Sequence, residues 1–410
     1  MPFRIIIAAI VLPLQAFLFL RFWTWLRGQT GLARHARLPG VAAFLVFNAI
    51  LVYFALNGFN STRVSTGVRT FIVYPFLFWH FWTFVVALPL LIGALLKLPF
   101  KGVRAGLRAI PAFRPRVEAI SSHPTVQRFD ASRRTFLRRG AYALTAASFG
   151  GTAYGMLVER TKHQVSETII RIPGLPPAFS GYSIGLVTDV HSSMYMTAAD
   201  MRRYVRVLNG MGSDIILVGG DLVNGSGDEV LPFAEAFSAL RAPDGVYGVL
   251  GNHDFYTREA DRVAHVAGEA GVRILRDESM VIHRHGAALT FLGIDDTGTG
   301  SVAMHRVQRA LNGTPAGPRI LLCHRPYFFE AFADGGIDLT LSGHTHGGQV
   351  VLGEFAGMTF TPAALASPYL AGLYHSGTSQ MYVSRGIGTV GVPVRLNCPP
   401  ELTRIVLKPA

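Results

Sequence analysis

Hydrophobic positions divide this chain into two regimes. In the first 96 residues they run almost unbroken: Ile5–Leu20, Leu38–Leu56 and Thr70–Leu96 contain no Asp, Glu, Lys or Arg. Runs of 16, 19 and 27 residues suit spanning helices, which need roughly 20 apolar residues, so residues 1–96 are expected to form a membrane region of three transmembrane helices. Phe22–Leu26 can extend the first run, with Arg21 snorkelling to the interface. Trp23, Trp25, Trp79, Trp82, Tyr53 and Tyr74 suit the membrane–water boundary. A fourth uncharged run, Gly140–Val158, is richer in Ala and Gly. Beyond it the pattern changes. Short apolar, β-branched runs at Ser183–Val187, Ile215–Val218, Val246–Leu250, Ile320–Leu322 and Ile337–Leu341 predict strands. Met201, Val205 and Leu208 fit one helical face, Leu231, Ala234, Phe237 and Leu240 another, and Arg258–Ala270 a third helix. Residues Val272 to Ile294 read as β-rich, with later strands at Gln349–Leu352, Met381–Ser384 and Leu402–Leu407. Glu159–Phe179 reads as a linker in which Ile169–Ile172 can already be a strand. Alternation giving way to hairpins predicts an α/β domain of two face-packed sheets with helices outside.

Charge sharpens the division. The net charge is +13, but residues 1–159 hold 18 Lys+Arg against 3 Asp+Glu, whereas residues 160–410 hold 20 against 22. The basic balance therefore belongs to the membrane region, and no nucleic-acid partner is expected of the C-terminal domain. Lys97–Arg139 carries eleven basic residues against Glu118 and Asp130, and the loop with Arg27, Arg34 and Arg37 is also basic. Both are expected on the cytoplasmic side. The intervening loop, with only Arg63 and Arg69, should face outward. Ser132-Arg133-Arg134-Thr135-Phe136-Leu137, directly before Gly140–Val158, resembles a twin-arginine export signal. With no clean Ala-x-Ala after it, residues 140–158 are read as a retained signal anchor or ordinary fourth span. Either places residues 159–410 on the exterior or periplasmic face, and the first makes the twin-arginine translocase a partner. His80 lies inside the third run, where bonding to a neighbouring helix is the expected role. Two cysteines, Cys323 and Cys398, cannot build a disulfide framework, and Cys323 is expected to pack behind a strand.

The candidate chemistry lies at the strand ends. Asp189-Val190-His191, Gly219-Gly220-Asp221, Gly251-Asn252-His253-Asp254, Cys323-His324-Arg325-Pro326 and Gly343-His344-Thr345-His346-Gly347-Gly348-Gln349 each follow an apolar run, the place where open α/β sheets carry their sites. Asp189 and His191 can converge on one cation where the chain bends. The Asp221 carboxylate can bridge two, Asn252 offers an amide oxygen, and His324, His344 and His346 add nitrogens. Mixed N/O ligation favours Mn, Fe or Zn over Mg. Two divalent ions roughly 3.5–4 Å apart activate a hydroxide and clamp a phosphoryl centre, which suits phosphate-ester hydrolysis. Asp254 can orient His253 or hold its loop. Asp295 and Asp296 can reach the cleft or cap a turn, Arg325 and Arg395 can contact phosphate or form surface ion pairs, and Gln349 should support the His loop.

These five blocks, in this order over about residues 167–410, resemble the calcineurin-like metallophosphoesterase superfamily. Gly343–Gln349 together with Arg385-Gly-Ile-Gly, Pro393-Val-Arg395 and Pro399-Pro400-Glu401 is similar to a bacterial membrane-associated, often twin-arginine-exported subgroup. The resemblance implies a four-layer αββα sandwich. It implies Asp189, His191, Asp221 and His346 around one metal, and Asp221, Asn252, His324 and His344 around the other. His253 matches the family's catalytic His, which protonates the leaving oxygen or stabilises the transition state. The expected activity is membrane-anchored hydrolysis of a phosphodiester or pyrophosphate in an envelope, lipid-linked or small-molecule phosphate, at the bacterial inner membrane. Two alternatives stand beside it. One is a cytoplasm-facing nucleotide-lipid pyrophosphatase, since some relatives cleave UDP-diacylglucosamine. The other is a non-catalytic metal-binding scaffold or sensor. Ligands define the reaction type, while the surrounding loops choose the molecule.

Overall fold

The computed structural model describes residues 3–28, 30, 35–57 and 64–410, so Arg34 and Arg63, used in reading the loop charges, lie outside the described residues. The described residues form two compact units, 3–57 with 65–153 in one and 154–410 in the other.

The first unit is helical because its sequence offers little else to bury: α1 (Phe3–Arg27), α2 (Arg37–Asn57), α3 (Thr66–Val68) and, through a π-turn at Arg69–Val73, α4 (Tyr74–Leu95). Among the described residues, three helical stretches are long and apolar enough to cross a membrane, Arg4–Arg27, Arg37–Asn57 and Thr66–Ala109. α1 does run on through Phe22–Leu26. His80 is buried and its Nδ1 lies 2.9 Å from the Phe76 carbonyl on its own helix; a neighbouring helix is not the partner of that atom. The basic stretch after Lys97 is also helical, as α5 (Leu98–Ala109), α6 (Arg114–Ser122) and the start of α7 (Pro124–Leu157). Arg133, Arg134 and Gly140–Leu157 thus share one 34-residue helix. Its uncharged part as far as Ala153 packs within this unit. Trp25 Nε1 donates to the Tyr142 hydroxyl at 2.8 Å, Trp82 Nε1 donates to the Thr145 carbonyl at 3.1 Å, and Phe149 meets Phe78 and Trp82 edge-on.

The second unit opens with β1 (Gln164–Ile172), β2 (Ser183–Val187), α8 (Ala198–Gly210), β3 (Ile215–Gly219), α9 (Val230–Phe237), β4 (Val246–Val249), α10 (Asn252–Tyr256), α11 (Ala260–Glu269), β5 (Arg273–Ile274), β6 (Glu278–Arg284) and β7 (Ala287–Gly293). It continues through α12 (Gly300–Leu311), β8 (Arg319–Leu322), α13 (Phe329–Asp334), β9 (Leu339–Ser342), β10 (Gly353–Phe355), β11 (Met358–Phe360), β12 (Gly372–Ser376), β13 (Ser379–Val383) and β14 (Glu401–Pro409). Two six-stranded sheets result, ordered β1-β14-β2-β3-β4-β5 and β12-β13-β9-β8-β7-β6. The period of two sorts each strand's side chains. Leu186, Ile215 and Leu217 face Phe291, Leu322 and Leu341 in a core between the sheets, while Ile216 and Val218 pack outward with Met201, Phe233, Phe237 and Val263. Leu292 and Leu321 likewise meet Ala303, Val307 and Phe332 of the helices over the second sheet. Helix, sheet, sheet, helix is the expected four-layer order, and strands covered on both faces explain runs with no polar alternation.

Three local readings are corrected. Within the expected linker Glu159–Phe179 the strand begins at Gln164 rather than Ile169, and β1 is paired in parallel along its whole length with β14; only the far end of the chain supplies the partner that makes it a strand. α9 buries Val230, Phe233, Ala236 and Phe237, while Leu231 is exposed, because the packed Phe233–Phe237 pair sets the helix rotation. Gln349–Leu352 forms only a bridge, Val350 to Leu396, and the strand pairing falls later, in β10–β11.

Candidate metal centre

The parallel strands end in bends that regular backbone cannot make. Asp189 and His191 follow β2, Asp221 follows β3, Asn252 and His253 open α10 after β4, His324 follows β8, and His344 and His346 follow β9. Five of these residues take left-handed φ: Asp189 51°, His191 47°, Asp221 52°, His344 73° and His346 52°. Each such non-glycine conformation costs about 1–3 kcal/mol and persists where the surroundings impose it, commonly at functional sites. The flanking glycines permit close approach. A Cβ on Gly251 would lie 2.2 Å from Asp221 Oδ1, and one on Gly343 2.2 Å from Asp189 Oδ2.

The donors converge in overlapping groups. Asp189, His191 and His346 each bring a ligand atom within 4.8 Å of the others, as do Asp221, His324 and His344, and also His191, Asp221 and His253. Asp221 is the junction. Its Oδ2 lies 3.4 Å from His191 Nε2 and 3.2 Å from His324 Nε2, and its Oδ1 accepts the His253 N–H at 2.8 Å. The His344 N–H donates to Asp189 at 2.9 Å. His324 Nδ1 is committed to the Gly219 carbonyl at 2.9 Å, leaving Nε2 to the centre, an orientation typical of metal-binding imidazoles.

These residues fit divalent cations on three observations. Asn252 is buried, and its Oδ1 lacks a hydrogen-bond partner. Buried polar atoms are seldom left so. His324 Nε2, also buried, faces the Asp221 carboxylate at 3.2 Å, so a nitrogen and an oxygen donor point at one spot. His191 Nε2 and His346 Nε2 face each other at 3.0 Å, although neutral imidazoles each present a lone pair on the nitrogen used for coordination. Burial lowers His191 and His344 to about 3, and His346 well below its ordinary value, so all three are neutral and offer a nitrogen lone pair. Burial raises Asp189 to about 6. For Asp221 burial works upward too, but His324 and His191 hold it well below the usual carboxylate range. Burial opposes charge on His324, yet Asp221 raises it to about 10. Without a cation, a proton sits between these two ligands.

His253 stands apart from this exchange. Its Nδ1 lies 2.6 Å from the Asn224 carbonyl, and its ring meets His191 edge-on with centroids 4.6 Å apart. A carbonyl only accepts, so Nδ1 carries a hydrogen and Nε2 is left for chemistry. Asp254 does not orient this ring. Buried, it accepts the N–H groups of Leu222, Val223 and Gly251 at 3.3, 3.0 and 2.8 Å, tying the Asp221 loop to the Asn252 loop. Asp295 pairs with Arg276 at 2.8 Å, and Asp296 with Arg325, also at 2.8 Å. Arg395 is no surface residue: it is fully buried and donates to the carbonyls of Arg385, Gly386, Gly388 and Cys398, bracing the loop behind His346. Gln349 does support the His loop, accepting from Val390 N at 2.8 Å and donating to the Val390 and Val392 carbonyls. Cys323 packs under the second sheet's helices.

Some supporting residues escape sequence reasoning. Asn224 acts through its backbone carbonyl, which no side-chain motif reveals. Glu229 holds that loop by accepting from Asn224, Gly225 and Ser226 N–H groups at 2.8–3.1 Å; Ser226-x-x-Glu229, a capping box, was the available signal. Tyr256 and Tyr327 lie against His253 and His344 with centroids 5.3 Å apart in each case.

Residues 182–348 match the family model for calcineurin-like phosphoesterases. The chain is 30% identical over 288 residues to the uncharacterized metallophosphoesterase YkuE of Bacillus subtilis, covering 68% of this chain and 98% of that protein. It is 29% identical over 282 residues to the phosphodiesterase YaeI of Escherichia coli, covering 67% and 99%. A transmembrane protein with metallophosphoesterase domain from Danio rerio is 30% identical over 268 residues, 63% of this chain, and the match spans only 60% of that relative's length.

Proposed function

The chain belongs to the calcineurin-like phosphoesterase family, and from that premise we propose that it is a membrane-anchored phosphohydrolase working with two divalent cations, Mn, Fe or Zn. The observation that carries this reading is Asp221, shared by two converging donor groups, with His253 beside it. When bound, the cations supply Lewis-acid polarisation of the phosphoryl oxygens and lower the pKa of a water. The chain's own residues do the rest. Asp189, His191 and His346 bind on one side, and Asn252, His324 and His344 on the other, with Asp221 common to both. His253 Nε2–H gives its proton to the leaving oxygen as the phosphorus–oxygen bond breaks, while Nδ1–H stays on the Asn224 carbonyl and fixes the tautomer. Asp254 keeps the Asp221 and Asn252 loops in register through this step.

The substrate is proposed to be a phosphodiester or pyrophosphate carried by a lipid or another envelope component. The name of the Escherichia coli relative, a phosphodiesterase, supports the first bond type, and three apolar helical stretches support a substrate at the membrane. Gly140–Val158 is proposed as a fourth span reached through a twin-arginine signal at Arg133-Arg134, with the catalytic domain facing the exterior. The packing of Tyr142, Thr145 and Phe149 against α1 and α4 side chains supports placing this run beside the other spans. The test is to assay the purified, Mn²⁺-loaded chain against phosphomonoesters, phosphodiesters and pyrophosphate-linked nucleotide lipids. Turnover of a diester or pyrophosphate is expected; metal-loaded protein with no turnover on any of them would overturn the reading in favour of a metal-binding scaffold.

A further inference from the structure

The loop bearing His344 and His346 continues into an excursion whose two ends are pinned back to it. Thr361 Oγ1 donates to the Gly348 carbonyl at 3.0 Å, and Thr345 Oγ1 donates to the Leu370 carbonyl at 2.5 Å. Within it β10 and β11 form a hairpin, Phe355 opposite Met358, turning on Ala356 and Gly357 with φ of 49° and 77°. Two consecutive positive φ values make a tight turn that projects the strand ends outward. The hairpin and the helical turn Pro362–Leu365 after it project apolar side chains: Leu352 is 70% exposed, Phe355 72%, Met358 61% and Leu365 93%. Residues 350–370 hold a single charge, Glu354, and no Lys or Arg. A two-stranded apolar hairpin in water is an aggregation hazard that soluble proteins guard with charge, and this one carries almost none.

The position of the hairpin base indicates what covers it. Val351 N donates to the Leu396 carbonyl at 2.9 Å, and Asn397 Nδ2 donates to the Val351 carbonyl at 2.9 Å. The next residue along, Arg395, donates its N–H to the carbonyl of Gly155 in the last turns of α7 at 3.2 Å, where a Cβ on Gly155 would lie 2.5 Å from Arg395 O. One short segment, residues 395–397, therefore carries both the hairpin base and the point where α7 delivers the chain. Just there α7 exposes Leu157, followed by exposed Val158.

We propose that Leu352, Phe355, Met358 and Leu365 insert into the interfacial layer of the lipid bilayer that anchors the chain, holding the Gly343–Gln349 loop at the membrane surface. The proposal rests on the reading of α7 as a membrane anchor. With no basic residue on the hairpin, insertion is apolar rather than a headgroup attraction, and salt leaves it unchanged. The centre then meets phosphates whose apolar body stays in the bilayer.

The test uses the full chain in phosphatidylcholine–phosphatidylglycerol vesicles, with Phe355→Cys, Leu365→Cys or, as control, His285→Cys at the exposed β6–β7 turn, each labelled with an environment-sensitive fluorophore. The native Cys323 and Cys398 are buried. Lipids carrying a nitroxide on the acyl chain should quench positions 355 and 365 several-fold more than 285, equally at low and high salt. Quenching no greater than at 285, in a chain that resists alkaline extraction, overturns the hairpin insertion alone. Cross-linking of Phe355→Cys between copies without lipid quenching overturns it in favour of a second copy of the chain as the occupant. Release of the whole chain by alkaline extraction overturns the anchoring on which the proposal rests.

Discussion

His324 and His253 both spend Nδ1 on a backbone carbonyl, so the proposed division of labour between them rests on where each stands against Asp221. His324 turns Nε2 to the Asp221 carboxylate at 3.2 Å, whereas His253 meets Asp221 through its backbone N–H, which leaves its ring for the proposed proton donation. His253→Ala should therefore leave metal content unchanged while slowing turnover by roughly 10²–10⁴-fold, the range for a lost general acid. Measured on alkyl and nitrophenyl esters, the loss should be smaller for the nitrophenyl leaving group; an equal loss on both would argue against proton donation. His324 gives a pH prediction. Its folded pKa of about 10, raised above the ordinary 6.5 by Asp221 against the effect of burial, stabilises the cation-free fold fully below pH 6.5, and that stability fades as pH rises through 10. At pH 8 the metal-free protein still holds this proton, and coordination must displace it. Cation binding should release a proton and tighten about tenfold per pH unit near pH 8, seen by calorimetry in two buffers of different ionisation heat; equal heats would contradict it. The converging Asp and His donors were legible in the sequence because they are side chains at strand ends. Asn224 was not, because its contribution is a carbonyl, and Arg395 was misread because one arginine in a loop gives no sign of being enclosed by carbonyls.

At the level of elements, the strands that feed the centre were readable because both of their faces are covered, which leaves uninterrupted apolar runs. What could not be read depends on distant partners: β1 is a strand only because β14 lies beside it, and the rotation of α9 follows from Phe233 packing on Phe237. The β10–β11 hairpin has strands of only three residues each, too short for their alternation to register as a strand pattern, and little of it is buried within the domain. The bends after the strands make a separate prediction. Gly251→Ala places a methyl group against Asp221, with no room at 2.2 Å, while the sheet core is untouched. Metal content should fall and turnover should be lost, with far-ultraviolet circular dichroism unchanged. Retention of full metal content would show that the Asp221 loop can move aside, contrary to its tethering by Asp254.

For the molecule as a whole, the apolar runs and the five-block order made the helical unit and the four-layer domain legible together, whereas sidedness depends on charge in a helix that the structure shows as continuous from Pro124 to Leu157. Arg133→Lys with Arg134→Lys keeps that charge and removes the paired arginines, both of which are exposed. A C-terminal alkaline phosphatase reporter should be active in the wild type and inactive in this variant, with residues 1–96 still inserted. An active variant would mean export by the general route, and an inactive wild type would favour the cytoplasmic pyrophosphatase reading. The central claim, that two cations share Asp221 and act together, is tested most directly by returning Mn²⁺ to chelator-treated protein while following bound metal and phosphodiester hydrolysis. The account predicts that activity reaches its maximum only as the second equivalent binds, and that Asp221→Asn loses both metal and turnover; full activity at one equivalent, or an Asp221→Asn chain that keeps two ions and normal turnover, would contradict it.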